Sequence, residues 1–318
     1  MEHGLEWKGI AYTEDQFALG KQLLDEIKSF LHKPVTEDNF KQTYEHCYRF
    51  LSGFPLPLIY IGDKFLVRAR ENINGEIFSC QEDISYNSRR PDLIQLGRFN
   101  RSIEPIFYGA LPTAGDGATF VLTSMLESCK GLTDQTNTES EFRFTVGKWA
   151  IKPFIAICLC FDDKHLRTHE RMKAHIDMHR QFIKDRCSEK DAAFIFSTLQ
   201  FFSDLSSVKC EDPSTYMVLT ALFCAIRMVY LQDNTEVNGI VYPSSITESK
   251  GLNIALTTAA VDQYLNLTDV LMYKVKRRPE GKLEMDAFPI SEISPVVERK
   301  FNLEIDETRF EIKESEYR

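Results

Sequence analysis

The sequence has no long uninterrupted hydrophobic run and no excess of basic residues. Its apolar stretches stop well short of the length that crosses a bilayer, and its first residues lack the basic-then-apolar layout of a signal peptide. The net charge is −9, with acidic and basic residues interleaved, which argues against a surface for polyanions. We therefore expect a cytoplasmic protein that binds neither nucleic acid nor membranes.

Cysteine motifs are also missing. The eight cysteines among 318 residues are scattered, without the close pairs of a zinc site or the density of a disulfide scaffold. This spacing is typical of a reducing compartment. Cys158 and Cys160 lie two residues apart on a predicted strand, and we expect both to be small core residues.

The signatures of several common enzyme classes are absent. The sequence has no P-loop and no Gly-x-Ser-x-Gly elbow, which argues against standard nucleotide hydrolases and serine esterases. Gly115-x-Gly117 lies between a predicted strand and a predicted helix, as a dinucleotide fingerprint would. However, Phe120 takes the place of the third glycine, and Glu139 falls at the start of the next strand. A plain loop is the better interpretation.

Two histidine pairs have a spacing of four residues, His165 with His169 and His175 with His179. Each pair could share a helix face and bind a metal ion. The arginines and lysines around them favour a solvated helix face instead, so no metal ion is expected.

The hydrophobic periodicity predicts a mixed architecture. Thr13 to Gln16 form a capping box before a helix over 14–32, and a second helix begins near Thr36, so residues 1–57 should form an N-terminal helical appendage. Short strand-like runs and apolar helices follow without the regular alternation of a parallel α/β sheet, which predicts an α+β fold. The polar stretch from Glu71 to Gln95 is predicted to be a long loop that covers a site.

Five residues supply the chemistry of a candidate site: Arg68, Arg98, Tyr108, Glu127 and Ser244. Two guanidinium groups, an aromatic hydroxyl and a carboxylate suit an anionic, aromatic, sugar-bearing ligand. Taken singly, each residue is more often structural, and their spacing does not prove that they converge in space.

The segments that carry these residues resemble the RES-domain family, named for an arginine, a glutamate and a serine. The resemblance covers roughly residues 60 to 260. The matching segments, in chain order, are Phe65-Leu-Val-Arg68-Ala-Arg70, Gly97-Arg98-Phe99-Asn100, Pro105-Ile-Phe-Tyr108, Glu127 near a helix end, Lys148-Trp149-Ala-Ile-Lys-Pro, and Asn238-Gly-Ile-Val-Tyr242-Pro-Ser244-Ser245.

The resemblance implies an ADP-ribosyltransferase-like core of two small, mostly antiparallel sheets with flanking helices. The catalytic domain would cover residues 58–265, with a helical insertion around 162–191. Residues 266–318 would form a β-rich extension packed on the core. Members of the family degrade NAD⁺ by hydrolysis or phosphorolysis and act as toxins held in check by an antitoxin, so the expected partners are NAD⁺ and a cognate antitoxin. NAD⁺ would be the substrate, with no permanently bound cofactor.

The resemblance also assigns roles to residues. Arg68 and Arg98 would clamp the pyrophosphate, Glu127 would stabilise an oxocarbenium-like centre on the ribose, and Ser244 would orient the substrate or the attacking group. Glu104 is the alternative carboxylate. The resemblance implies Arg68, Glu127 and Ser244 as catalytic residues, and as substrate-binding residues Arg98, Asn100, Tyr108, Ser245 and Asn253.

Two other functions stay open at this point. The first is ADP-ribosyl transfer to a macromolecule, which sequence does not separate from hydrolysis because access to the site selects the acceptor. The second is a catalytically silent interaction module whose helical hairpin docks a partner. Because all the motif residue types are present, we favour an enzyme.

Overall fold

The computed structural model describes residues 13–62, 65–112, 119–134, 137, 140–208, 212–247, 251–277 and 285–308. These residues form a mixed α+β fold in which helices flank a ten-stranded, mostly antiparallel sheet. The predicted α+β class is therefore confirmed. Gly115, Gly117 and Glu139, which were weighed above as a nucleotide fingerprint, lie outside the described residues.

The elements are numbered in chain order. The strands are β1 Leu58–Ile61, β2 Phe65–Glu71, β3 Ile106–Leu111, β4 Glu141–Ile151, β5 Phe154–Cys158, β6 Gly239–Pro243, β7 Leu252–Thr257, β8 Leu265–Arg277, β9 Met285–Pro289 and β10 Ser294–Pro295. The helices are α1 Glu14–Ser29, α2 Glu37–Leu51, α3 Gln81–Ile84, α4 Thr119–Ser128, α5 Lys130–Thr133, α6 Asp163–Leu166, α7 Glu170–Arg186, α8 Glu189–Ser207, α9 Pro213–Gln232 and α10 Thr258–Tyr264.

The first two helices begin where the sequence predicts. The Thr13 hydroxyl accepts a hydrogen bond from the Gln16 backbone amide, and the Gln16 side chain accepts one from the Thr13 amide, which completes the capping box. The Thr36 hydroxyl caps α2 by accepting a hydrogen bond from the Asn39 backbone amide. Both helices bury apolar residues in the main core, α2 chiefly against α9. The domain boundaries proposed above stay a prediction.

The sheet nearly divides in two. Its strand order is β1-β5-β6-β7-β3-β2-β4-β8-β10, with β9 beside β8. Only one described residue pair, Val67 with Ala110, joins β2 to β3. The prediction of two small sheets was therefore wrong, because this contact joins both halves into one. Beyond it the two strands separate, and the Arg68 Nη1 donates to the Tyr108 carbonyl across the gap at 2.6 Å.

The core lies on both faces of the sheet. One face carries Phe107 and Trp149, whose rings pack edge to face at 5.1 Å between centroids. On the other face, Val67 and Ala69 of β2 belong to a separate apolar cluster with residues of α4. This second cluster fixes α4 beside β2, and so fixes the helix that carries Glu127.

Helix α9 is, within the described residues, the one helix long and apolar enough to cross a membrane by length and composition alone. In the structure 61% of the most apolar 18-residue stretch of α9 is buried inside the protein. Met217, Leu222 and Ile226 are completely buried. This burial is consistent with a soluble protein and with the predicted core helix.

The charged segment after β5, where a helical insertion was expected, forms two helices, α6 and α7. The prediction of a solvated histidine face was wrong for His165 and His169, which are 0% and 9% exposed. His165 lies within α6 and His169 directly precedes α7, so both lie near the junction of the two helices. Cys158 and Cys160 are buried, as predicted.

Candidate functional site

A cleft of about 550 Å³ opens where β2 and β3 separate. Its volume is within the range of small-molecule sites. Polar and aromatic side chains dominate the lining. Among the lining residues are Arg68, Arg70, Glu71, Ser85, Asn87, Arg98, Tyr108, Ser124, Glu127, Tyr216, Tyr242 and Asn253.

The carboxylate of Glu127 is held by one of its two oxygens. Its Oε1 accepts hydrogen bonds from Ser244 Oγ at 2.7 Å and from Asn253 Nδ2 at 2.8 Å. No described residue donates to Oε2, and the half-buried side chain lines the cleft. The group is therefore fixed in orientation while one oxygen stays available to a ligand.

The backbone around Glu127 strengthens its negative field. Glu127 lies in the last turn of α4, where the helix dipole places partial negative charge. A ligand centre that becomes positive beside this helix end is stabilised by the carboxylate and by the dipole together.

Ser244 lies behind Glu127 and is completely buried. Its hydroxyl donates to Glu127 and lies 3.3 Å and 3.4 Å from the backbone amides of Ile246 and Thr247, from which it accepts. These contacts use the hydroxyl fully, and Ser244 is not among the residues that line the cleft. In this placement Ser244 positions Glu127, and its role in orienting substrate stays a prediction.

Asn253 reaches Glu127 from the middle of the sheet. It lies on β7 opposite Ala110 of β3 and Tyr242 of β6. The residue is 2% exposed, and its amide donates to Glu127. The sheet register therefore sets the carboxylate position, because both donors to Glu127 lie on or directly after neighbouring strands.

Arg68 combines a structural and a cleft-facing role. Its Nε donates to the Ile84 carbonyl at 3.1 Å and its Nη1 to the Tyr108 carbonyl. No described residue accepts from Nη2. Burial lowers the pKa of Arg68 to about 10, with Arg70 acting in the same direction, while Tyr108 and Tyr242 oppose it. The group stays charged at neutral pH and can donate to an anion in the cleft.

Arg70 is a lining residue that was not among the predicted site residues. Because side chains alternate along a strand, Arg68 and Arg70 lie on the same face of β2. The Arg70 guanidinium packs over the Phe78 ring at 4.6 Å. Its Nη1 donates a hydrogen bond to the Asp83 carbonyl. The alternation of arginines in Arg68-Ala-Arg70 was the signal that could have identified it.

Arg98 lines the cleft, but most of its N–H groups already donate to other groups of the protein. Its Nη1 donates to the Ser206 carbonyl at 2.7 Å, and its Nη2 donates to the Val208 carbonyl and to Ser245 Oγ. Three of its five N–H groups are thus used. Burial works against the charged form, but Tyr242 and Glu127 help to outweigh it, so the pKa of Arg98 is raised. An open pyrophosphate fork does not fit this bonding.

Tyr108 and Asn100 form a polar pair beside the cleft. The Tyr108 hydroxyl donates to Asn100 Oδ1 at 2.9 Å and accepts from the Phe99 amide. The Asn100 amide donates to the carbonyls of Gln95 and Arg101. Asn100 therefore holds the loop and is not among the lining residues, while the Tyr108 ring is part of the lining. The substrate-binding role of Asn100 stays a prediction.

Two further predicted residues lie away from the lining. Ser245 accepts from Arg98 and so acts through that side chain. Glu104, the alternative carboxylate, is exposed on the loop before β3 and is not a lining residue. Glu127 is therefore the carboxylate of the predicted set that the structure places in the cleft.

Two aromatic side chains in the lining were also missed. Tyr242 is 4% exposed, and the Arg98 guanidinium lies 5.1 Å from its ring centroid. Tyr216 extends from α9. Tyr242 belongs to the Tyr-Pro-Ser segment quoted above, but no pattern in the sequence marks Tyr216, because its approach depends on how α9 packs. Together with Tyr108 they give the cleft aromatic surface that suits a planar ring.

No family model matches this chain, and no curated protein matches it either.

Proposed function

We propose that the protein consumes NAD⁺ by cleaving the bond between nicotinamide and ribose. The observation that carries the proposal is the Glu127 carboxylate, fixed through Oε1 by Ser244 and Asn253, with Oε2 open to a cleft that also holds Arg68 and Arg70. The resemblance to the RES-domain family supports the same chemistry.

The reaction needs few groups from the protein. As the glycosidic bond breaks, its electron pair moves to the nicotinamide nitrogen, which leaves as a neutral base and requires no general acid. Positive charge develops on the ribose, where Glu127 stabilises it. Water then adds to the ribose carbon and loses a proton, or phosphate adds in its place.

The cationic side chains are suited to the rest of the substrate. Arg68 and Arg70 share one face of β2 and can bind the pyrophosphate, while Arg98 supplies positive charge from behind. Tyr108 and Tyr216 offer rings against which adenine or nicotinamide can stack. In a cell this activity would deplete NAD⁺ in the manner of a toxin, restrained by a cognate antitoxin in the cytoplasm.

The experiment incubates the purified protein with NAD⁺, with and without phosphate, and measures the release of nicotinamide. We expect release by the wild type and by Glu104→Gln, a matched control outside the cleft, and almost none by Glu127→Gln. A folded wild type that releases no nicotinamide under either condition would overturn the proposal and leave the interaction module in its place.

A further inference from the structure

A second group of titratable side chains lies outside the cleft, where the chain leaving β5 meets α8. Asp162 caps α6, His165 lies within α6, and Asp204 lies on α8. One ligand atom from each of the three lies within 4.8 Å of the other two. The fold therefore brings together three potential metal ligands from two separate segments.

His165 has no partner in this group. Its side chain is 0% exposed, and both ring nitrogens are buried without a hydrogen-bond partner. A buried polar atom without a partner costs about 1–3 kcal/mol. A neutral imidazole keeps a lone pair on one ring nitrogen, which is what a metal ion requires.

We propose that Asp162, His165 and Asp204 bind a divalent first-row transition metal ion, with zinc as the representative ion. One imidazole nitrogen and two carboxylate oxygens are ligands that zinc accepts at about 2.0–2.2 Å. The hard cations Mg²⁺ and Ca²⁺ prefer all-oxygen sites and fit less well.

The three ligand atoms must move closer together to hold the ion. Tetrahedral bonds of that length place ligand atoms about 3.4 Å apart. Since the present separations are at most 4.8 Å, a closure of at most about 1.4 Å is needed. Asp204 is exposed and can make this movement by rotation of its side chain. Solvent molecules would complete the coordination on that open side.

Lys164 forms an ion pair with Asp162 in the structure. Its Nζ lies 3.1 Å from Asp162 Oδ2, and half of the lysine side chain is exposed, so it can swing away. Asp162 Oδ1 accepts from the Lys164 backbone amide, which fixes the carboxylate beside His165. The metal ion would therefore replace one cation by another at Asp162.

The site would tie α6 to the part of α8 that supports the cleft. Ser203 of α8 already accepts a hydrogen bond from the Phe161 amide at 3.0 Å. Ser206, two residues after Asp204, accepts from Arg98. A bound ion would thus fix the turn of α8 that holds Arg98.

The test uses the full chain after treatment with a chelator. Co²⁺ is titrated while its visible absorption is recorded, and Zn²⁺ is titrated by calorimetry. We expect one saturable equivalent with the absorption of cobalt bound to nitrogen and oxygen. Asp204→Asn should weaken binding at least roughly tenfold, a loss of about 1.4 kcal/mol.

Asp185→Asn is the matched control. Asp204 accepts from the Gln200 side chain and Asp185 from the Gln181 side chain, each four residues earlier on an exposed helix surface. Asp185→Asn should therefore leave metal binding unchanged. A thiolate-to-cobalt charge-transfer band would place the ion on cysteine and overturn the proposal. So would the lack of saturable binding, or equal affinity in Asp204→Asn and the wild type.

Discussion

Arg98 and Arg70 both line the cleft, but they differ in how much of the guanidinium the protein uses. Arg98 makes three hydrogen bonds and is 9% exposed. Arg70 makes one described hydrogen bond and packs on Phe78. Arg98 should therefore contribute mainly to stability, and Arg70 mainly to substrate binding.

Arg98→Ala is expected to lower the free energy of unfolding by about 1–3 kcal/mol, because it leaves the buried Ser206 carbonyl without its donor. Arg70→Ala should cost about 1 kcal/mol or less and should raise KM for NAD⁺ with little change in kcat. Urea unfolding and steady-state kinetics measure both effects. An unchanged KM in the Arg70→Ala protein would contradict the role proposed for Arg70.

The adjacent strands β6 and β7 control the position of the Glu127 carboxylate. β6 leads directly into Ser244, and β7 carries Asn253, so the strand pair delivers both donors to Glu127 Oε1. The precision of the site is therefore a property of sheet register, which a one-residue slip would destroy.

Ser244→Ala removes one of these two donors and is expected to lower kcat roughly tenfold, with KM for NAD⁺ nearly unchanged, since the serine acts on the carboxylate and not on bound substrate. The control is Ser245→Ala, whose hydroxyl contacts Arg98 instead. Steady-state kinetics measure kcat and KM of both variants, after each has been shown to be folded. A Ser244→Ala effect confined to KM would show that the hydroxyl contacts the substrate directly.

Local signals in the sequence predicted individual elements well. The Thr13 capping box and the apolar character of α9 identify helices because their causes lie within a few residues. The single contact between Val67 and Ala110 was not predictable, since strand partners are selected by packing between distant segments. That contact decides between one sheet and two.

The candidate site shows the same limit. The family resemblance indicated Arg68, Glu127 and Asn253, which line one cleft in the structure. Sequence could not separate residues that line the cleft from residues that support it, such as Ser244 and Asn100, because this depends on which hydrogen bonds the fold has already used. His165 was paired in sequence with His169, yet its neighbours in space are two aspartates.

The whole molecule should lose stability in mild acid. Burial lowers the pKa of His169 to about 4, and burial also lowers that of His179 to about 4, against about 6.5 in the unfolded chain. Between these values the unfolded chain binds more protons than the folded protein, so the free energy of unfolding falls as pH falls from 6.5 to 4.

His169 should add about 1.4 kcal/mol per pH unit to the slope of the free energy of unfolding against pH in this window. Above pH 6.5 it should add nothing to the slope. Urea unfolding at a series of pH values measures the slope for the wild type and for His169→Gln, which lacks the titrating ring. The variant should show a shallower slope. An identical slope in both proteins would mean that His169 is not held in its neutral form by the fold.

The central claim is that Glu127 stabilises the transition state more than it stabilises bound NAD⁺. It is tested most directly by measuring kcat and the Kd for NAD⁺ of Glu127→Gln beside the wild type. The account predicts that kcat falls by roughly a hundredfold or more, the scale expected for the loss of a preorganised electrostatic group, while Kd stays within about threefold. An unchanged kcat, or a loss that appears only in Kd, would contradict it.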